Sequence, residues 1–246
     1  MTDALYEGKA KIVYPTDDPQ VYRAYFKDDA TAFNALKKGQ IRDKGEVNCT
    51  ISSHLFRELE AAGVPTHFLE QTSEREMRVK AVRIVPLEVV VRNIAAGSLC
   101  KQTGLAQGTL LEPPLVEFFL KDDSLGDPLL TPDRLRLLNV AAPEQVDQLR
   151  ALALRINAFL IGFFADCGIT LVDFKLEFGL DAEGRLLMAD EISPDTCRLW
   201  DRNEPDPEKR ILDKDRFRRD LGGIEDAYQQ VMQRVLQKSG DRPALG

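Results

Sequence analysis

The run Ile169-Thr170-Leu171-Val172-Asp173-Phe174-Lys175-Leu176-Glu177-Phe178 decides the reading of the chain. Strand side chains alternate between faces, so Val172, Phe174, Leu176 and Phe178 turn one way and Asp173, Lys175 and Glu177 the other. A half-buried strand with a solvated polar face has the same pattern, and the run alone does not separate the two. The return segment says more. A two- or four-residue turn at Asp181-Ala182-Glu183-Gly184 sends the chain back through Arg185–Ile192 and sets Asp190 opposite Lys175, on the face of Glu177. Crowded carboxylates repel one another unless a cation intervenes. Oxygen ligands with no histidine nearby suit Mg²⁺, which takes one or two carboxylates plus substrate phosphates. Glu177 and Asp190 are the candidate ligands, and Lys175 faces the same anions.

Working outward, the region before this strand supplies two further polar groups. In Gly8-Lys9-Ala10-Lys11, alternation puts both lysines on one face, and Gly8 lets an anion approach the backbone. The segment lacks the spacing of a Walker A loop, and paired lysines on an edge strand also serve simply to block aggregation. Arg92-Asn93-Ile94-Ala95-Ala96-Gly97-Ser98 follows the buried run Val89-Val90-Val91 and opens a short helix before Gly104. That makes either a phosphate seat of backbone N–H groups with the Arg92 fork, or an ordinary strand-to-helix turn. Asp195 and Arg198 follow Asp190 closely enough to face the same cleft.

The remaining pattern is that of a mixed α and β chain. Leu5–Tyr14 and Val21–Lys27 read as strands joined by a Pro15–Pro19 turn, and strands are expected near Pro65–Gln71 and Met77–Val82. Val47, Ile51, Leu55, Leu59 and Ala62 recur at helical spacing up to Gly63. Pro143 opens a second helix that runs through Ile156 and Phe163 to Gly168, and Ile224–Leu236 forms a third. Glu112–Asp133, with four prolines, reads as loop. A boundary near Val82–Leu87 divides the chain into 1–84 and 85–246.

The composition narrows the function. Of 246 residues, 33 are Lys or Arg and 40 are Asp or Glu, a net charge of −7 that argues against bulk nucleic-acid or anionic-membrane binding. No apolar run approaches the roughly 18 residues of a membrane span. The first residues lack a secretory pattern, and four scattered cysteines read as reduced and cytoplasmic. Two histidines, His54 and His67, exclude a multi-histidine metal site.

These segments fall in a familiar order. Leu5-Tyr6-Glu7-Gly8-Lys9-Ala10-Lys11, Lys44-Gly45 with Asn48, Val91-Arg92-Asn93 through Gly97-Ser98, Phe119-Leu120-Lys121-Asp122-Asp123, Leu171–Gly179 and Asp190-Glu191-Ile192-Ser193-Pro194-Asp195 resemble the phosphoribosylaminoimidazole-succinocarboxamide synthase (SAICAR synthetase) family, from Leu5 to about Leu236. The resemblance implies an α+β, two-lobed fold: a small antiparallel-β N-terminal lobe, a larger mixed α/β C-terminal lobe, and a kinase- or ATP-grasp-like nucleotide cleft between them. It implies ATP, L-aspartate and carboxyaminoimidazole ribonucleotide as reactants, an ADP-forming ligation in purine biosynthesis, and a homo-oligomer with a dimer as the expected form. By position, Lys9, Lys11 and Lys121 would meet the nucleotide phosphates, and Val82 to Ile84 would line the adenine pocket. Glu177 and Asp190 would hold Mg²⁺. Arg92, Ser98 and Arg198 would grip the ribonucleotide, with Asp173, Lys175 and Asp195 as candidate catalytic groups. Lys44, Asn48 and Asp127 would border the aspartate or the reacting carboxylate. Cys197 stands where the family often has serine, which puts a hydroxyl contact at that position in doubt.

Overall fold

A computed structural model describes residues 3–32 and 36–239. The first strands are β1 (Tyr6–Glu7), β2 (Lys11–Pro15) and β3 (Val21–Phe26), followed by a small hairpin of β4 (Asp29–Ala32) and β5 (Lys37–Gln40). After helix α1 (Lys44–Ala61) come β6 (Phe68–Ser73) and β7 (Glu76–Lys80), which complete an antiparallel sheet in the order β1-β2-β3-β7-β6. The α1 helix stops in a Schellman-type turn. Gly63 adopts φ 79°, its N–H bonds the Glu60 carbonyl, and Val64 N–H bonds that of Leu59.

The second sheet is longer. Its strands are β8 (Arg83–Ile94), β9 (Leu110–Leu120), β10 (Leu129–Leu130), β11 (Ile169–Leu180), β12 (Leu186–Ala189) and β13 (Cys197–Asp201). β11 is central, with β8 along one edge and β12 and β13 sharing the other. Helix α2 (Ser98–Thr103) sits between β8 and β9, while α3 (Pro132–Leu138) and α4 (Pro143–Asp166) precede β11. Helices α5 (Asp215–Arg218) and α6 (Ile224–Ser239) close the chain.

One hydrophobic core serves both sheets, running from Ala24 and Phe26 through Leu55 and Leu176 to Val231 and Val235. Packing of α6 on α1 brings the end of the chain back to its first helix. Helix α4 is long and apolar enough to span a membrane by length and composition, with mean hydropathy 1.3, which the sequence reading did not anticipate. Its buried stripe of Leu149, Ala153, Ile156, Leu160, Phe163 and Phe164 packs on β11 and β8, so it serves as the core helix. Each large side chain buried there contributes about 1.5–3 kcal/mol.

Several expected boundaries move. Leu5–Tyr14 is a hairpin, because the chain reverses at Gly8, where Gly8 N–H bonds the Lys11 carbonyl. Lys9 therefore lies in the reversal and Lys11 on β2, and the two do not share a strand face. Glu112–Asp133 is loop only in part, since β9 runs to Leu120. Its Pro113 and Pro114 fall where the β8 ladder skips from Arg92↔Leu115 to Ile94↔Leu110, so no ladder donor is lost. The return strand ends at Ala189 rather than Ile192, and Cys197–Asp201 forms a strand that the residue pattern had not marked.

The start of α1 is tightly seated. A β-carbon on Gly45 would stand 2.4 Å from the Phe26 carbonyl oxygen, and Gly45 N–H donates to Asp28 at 2.9 Å. Gly45→Ala must push the end of β3 aside, an overpacking that costs about 1–3 kcal/mol. Thermal unfolding should drop by roughly 2–4 °C per kcal/mol lost. An unchanged midpoint would show that the helix start can shift freely.

Candidate active site

Between the two sheets lies an open cleft of 540 Å³ whose walls come from β1–β2, β4, β8, β11 and the segments after β9, β12 and β13. Its floor is the polar face of β11. Lys175 and Glu177 stand on that face beside Glu88 of β8. Lys175 Nζ reaches Glu88 at 2.9 Å, Glu177 at 2.8 Å and Asp190 at 3.6 Å. Lys121, just past β9, pairs with the other oxygen of Glu177. Lys11 of β2 pairs with Asp190 and lies 3.2 Å from Glu191. Three lysines and four carboxylates thus form one mesh. Burial alone would lower the pKa values of Lys11 and Lys175, but the surrounding carboxylates hold both above the ordinary lysine value. Burial would likewise raise Asp190, yet Lys11, Lys175 and Lys121 hold it below the usual carboxylate range.

Asp190 reaches this mesh by a route that differs from the expected one. The β11–β12 ladder pairs Leu180 with Leu186 and Glu177 with Ala189, so the connection has five residues, 181–185. Continued by one step, that register would place residue 190 opposite Leu176 and on its apolar face. The backbone at Asp190 instead turns left-handed, with φ 63°, and delivers the carboxylate to the cleft. Such a turn costs a non-glycine residue roughly 1–2 kcal/mol, although aspartate tolerates it better than most. Nearby, burial and then Lys11 hold the His67 imidazole down to about 3, so it is neutral.

At one end of the cleft, charges alternate along a second chain. Glu117 of β9 accepts from Arg92 Nε at 2.7 Å, and Arg92 donates to Asp173 at 2.9 Å and to Ser98 Oγ at 3.3 Å. Arg198 of β13 donates to both Asp173 oxygens at 3.1 and 2.8 Å and to Asp215 at 2.8 Å, and Arg218 also reaches Asp215, at 2.5 Å. Gly97, with φ 57°, lets this happen: a β-carbon there would stand 2.4 Å from the Arg198 guanidinium. Asp173, held between two guanidinium groups, is placed to orient them.

Asp195 is buried as well. It accepts from Lys44 at 2.9 Å and from Tyr228 of α6 at 2.6 Å, and Lys214 lies 3.7 Å away. Burial would raise its pKa, but Lys214 and Lys44, with the Tyr228 hydroxyl, hold it well below the usual carboxylate range. Burial lowers Lys214 from its ordinary value.

Among the residues singled out from sequence, Lys9, Lys11, Arg92, Ser98, Lys121, Asp127, Asp173, Lys175, Glu177, Asp190, Asp195 and Arg198 line the cleft. Lys9 bridges its mouth to Asp123 at 2.5 Å, and Asp127 accepts from the Asp122 N–H at 3.0 Å. Four do not line it. Val82 packs over Gly179, and Ile84 is 37% exposed at the start of β8. Lys44 is buried behind Asp195, and Asn48 is buried with neither amide atom hydrogen-bonded. Cys197 lines the wall as a neutral thiol, its pKa raised by burial. Sequence reading missed Glu88, Glu191, Lys214 and Arg218, all on the wall. Glu88 had a signal, since the period of two that places Arg92 also places Glu88. The charged run Asp215–Asp220 has the pattern of a salt-bridged surface, yet its Arg218 lines the cleft and its Asp215 pairs with Arg198. Lys214 and Arg218 stand one helical turn apart there, a spacing that marks a shared face.

Glu177 and Asp190 converge on one ammonium as an all-oxygen pair. Among the described residues no three metal-binding side chains gather into a protein-only cage. That donor set fits magnesium, which shares its shell between one or two carboxylates and phosphate oxygens.

A cleft between two antiparallel sheets, lined by lysines and arginines that acids hold in place, defines a protein built to handle phosphorylated anions. The sequence pattern described as SAICAR synthetase matches residues 4–235. The chain is 68% identical over 232 residues to phosphoribosylaminoimidazole-succinocarboxamide synthase of Nostoc punctiforme, covering 94% of this chain and 95% of that one. A crystal structure of phosphoribosylaminoimidazole-succinocarboxamide synthase from Ehrlichia chaffeensis superimposes with a TM-score of 0.91 at 41% identity, over 95% of this chain and 98% of that one. A SAICAR synthetase in complex with ADP gives 0.89 at 42% identity, covering 98% and 99%. The chain belongs to the SAICAR synthetase family.

The Tyr228–Asp195 contact can be tested through pH. A carboxylate whose folded pKa is depressed adds stability above its unfolded pKa and loses it as pH falls through the folded value. Tyr228→Phe should cost about 1.5–3 kcal/mol at neutral pH, the range for a hydrogen bond to a charged group. Denaturant titrations should show that deficit shrinking in acid. A deficit independent of pH would mean that the hydroxyl does not act through Asp195.

Proposed function

We propose that the chain is an ATP-dependent, ADP-forming ligase that joins L-aspartate to the carboxylate of carboxyaminoimidazole ribonucleotide in purine biosynthesis. Membership of the SAICAR synthetase family supports the reaction. The observation that carries the reading to this cleft is the meeting of Lys11, Lys121 and Lys175, from three separate stretches of chain, on Glu177 and Asp190.

A free carboxylate is a poor acylating agent because oxide is a prohibitive leaving group. In the proposed sequence a substrate carboxylate oxygen attacks the γ-phosphorus of ATP, the bond to the β-phosphate oxygen breaks, and ADP leaves. The aspartate amine then attacks the acyl carbon of the resulting acyl phosphate. The C–O bond to phosphate breaks, and the amine proton is lost to solvent. Such a transfer needs positioning and charge neutralisation more than covalent help. Lys9, Lys11 and Lys121 face the nucleotide phosphates in this reading, with Val82 to Ile84 beside the adenine. Lys175 sits at the reacting oxygens, where three carboxylates keep it charged. Arg92, Ser98 and Arg198 hold the ribonucleotide phosphate, with Asp173 fixing their angle. Asp195, its carboxylate engaged by Lys44 and Tyr228, steadies the wall near Lys214 and does not serve as a base. Asp127 remains the candidate on the aspartate side, because Lys44 enters only through Asp195 and Asn48 is not on the wall.

Glu177 and Asp190 are the residues that would hold magnesium. When bound, the ion would neutralise charge on the phosphoryl oxygens. The proposed division at 84/85 falls two residues into β8 (Arg83–Ile94), with the first sheet before it and nearly all of the second after it. A cytoplasmic setting is consistent with four free thiols.

The test is ADP release from the purified protein with ATP and carboxyaminoimidazole ribonucleotide, with and without L-aspartate. Release should require all three. Equal release without aspartate would point to a small-molecule kinase instead. Glu177→Gln and Asp190→Asn should each lower kcat about 10²-fold or more while ATP still binds, the usual scale for removing an electrostatic contact made to developing charge.

A further inference from the structure

The segment that joins β13 to α5 carries a buried carboxylate that the cleft chemistry leaves unused. After β13 the chain loops out and returns beside it. Asp201 N–H bonds the Arg210 carbonyl at 2.7 Å, Trp200 bridges Ile211, and Leu212 N–H bonds the Leu199 carbonyl at 2.9 Å. Asp213 ends this return and is 0% exposed. Its Oδ2 accepts from the Leu199 N–H and its Oδ1 from the Asp215 N–H, each at 2.8 Å. Leu199 directly follows Arg198, and Asp215 is the residue that accepts from Arg198 Nε at 2.8 Å and also pairs with Arg218. Asp213 therefore ties the backbone on both sides of the Arg198–Asp215 pair. Burial and then Asp215 push its pKa up to about 7, so holding a carboxylate here is costly, and the two N–H donors offset part of that cost.

We propose that Asp213 is a positioning residue that, by tying the Leu199 and Asp215 backbones together, aims Arg198 and Arg218 at the phosphate of the ribonucleotide. This deepens the reading of Arg198 as a ribonucleotide contact and rests on it. The role asks for two acceptor oxygens. Asparagine has the same shape but offers one oxygen, and its NH₂ meets an N–H donor, so one of the two ties is lost. The lysines assigned to the nucleotide, Lys9, Lys11 and Lys121, are held by Asp123, Asp190 and Glu177 and make no contact with this segment.

The experiment is calorimetric titration of two ligands into wild type, Asp213→Asn, Asp215→Asn and the double variant. ADP is titrated into the free protein, and carboxyaminoimidazole ribonucleotide into the ADP-saturated protein. Asp213→Asn should bind the ribonucleotide about tenfold more weakly, the scale of one hydrogen bond lost and its donor left buried, with ADP affinity unchanged. In the Asp215→Asn background the same substitution should cost about twofold or less, because both act on Arg198. Undiminished ribonucleotide affinity in folded Asp213→Asn overturns the proposal. So does an equal loss for ADP, which marks a merely structural tie, and so does full additivity in the double variant. If wild type does not bind the ribonucleotide, the reading of the cleft fails first, before any variant is compared. Should Asp213→Asn not fold, amide hydrogen exchange of the wild type decides. The N–H groups of Leu199 and Asp215 should be protected and should slow further with the ribonucleotide than with ADP alone. Rapid exchange at either, or equal slowing by both ligands, overturns the proposal.

Discussion

Three lysines and four carboxylates in one cleft depend on one another. Lys175, Glu177 and Asp190 are each held in the cleft by opposite charge on two or more sides. The elements that bring them together are far apart in sequence: Lys11 and Asp190 are 179 residues distant. Folding of the two sheets against a single core and assembly of the cleft are thus one event, since Lys11 of the first sheet meets Asp190 beyond β12 of the second only when both sheets are packed.

The same economy of charge explains how an acidic chain can offer a cationic surface. Arg92, Arg198 and Arg218 alternate with Glu117, Asp173 and Asp215, so every guanidinium is aimed by a carboxylate and keeps donors for a ligand. A planar fork suits this arrangement, because bonds from one side of the guanidinium fix the direction of the other. Asp195 performs the equivalent service for Lys44 and Lys214, and Tyr228 ties the last helix into it.

Much of this was legible in the residue order. Apolar spacing marked α1, α4 and α6, and alternation marked β11 with its polar face of Asp173, Lys175 and Glu177. What failed, failed for physical reasons. Gly8 permits a reversal that turns one apparent strand into a hairpin. Pro113 and Pro114 look like breakers yet sit in a strand, at a point where the ladder needs nothing from them. Lys44 and Asn48 lie in a motif with charged neighbours, but a helix that packs on one side buries them away from the cleft. Asp215 and Arg218 look like a solvated surface run until β13 brings Arg198 beside them.

Asp190 marks the boundary between the two kinds of information. The expectation that it shares a face with Glu177 assumed an even connection. The connection is odd, and a left-handed residue restores the face that the register would have lost. The residue order by itself determined which side chains alternate along each strand and which chemistry the cleft could hold, because a period of two is a property of extended backbone. Ladder register and the sign of one φ angle were decided only in the tertiary structure, because the partners of a strand come from distant parts of the chain: residues 65–67, more than a hundred positions earlier, bond Met188 on the free edge of β12.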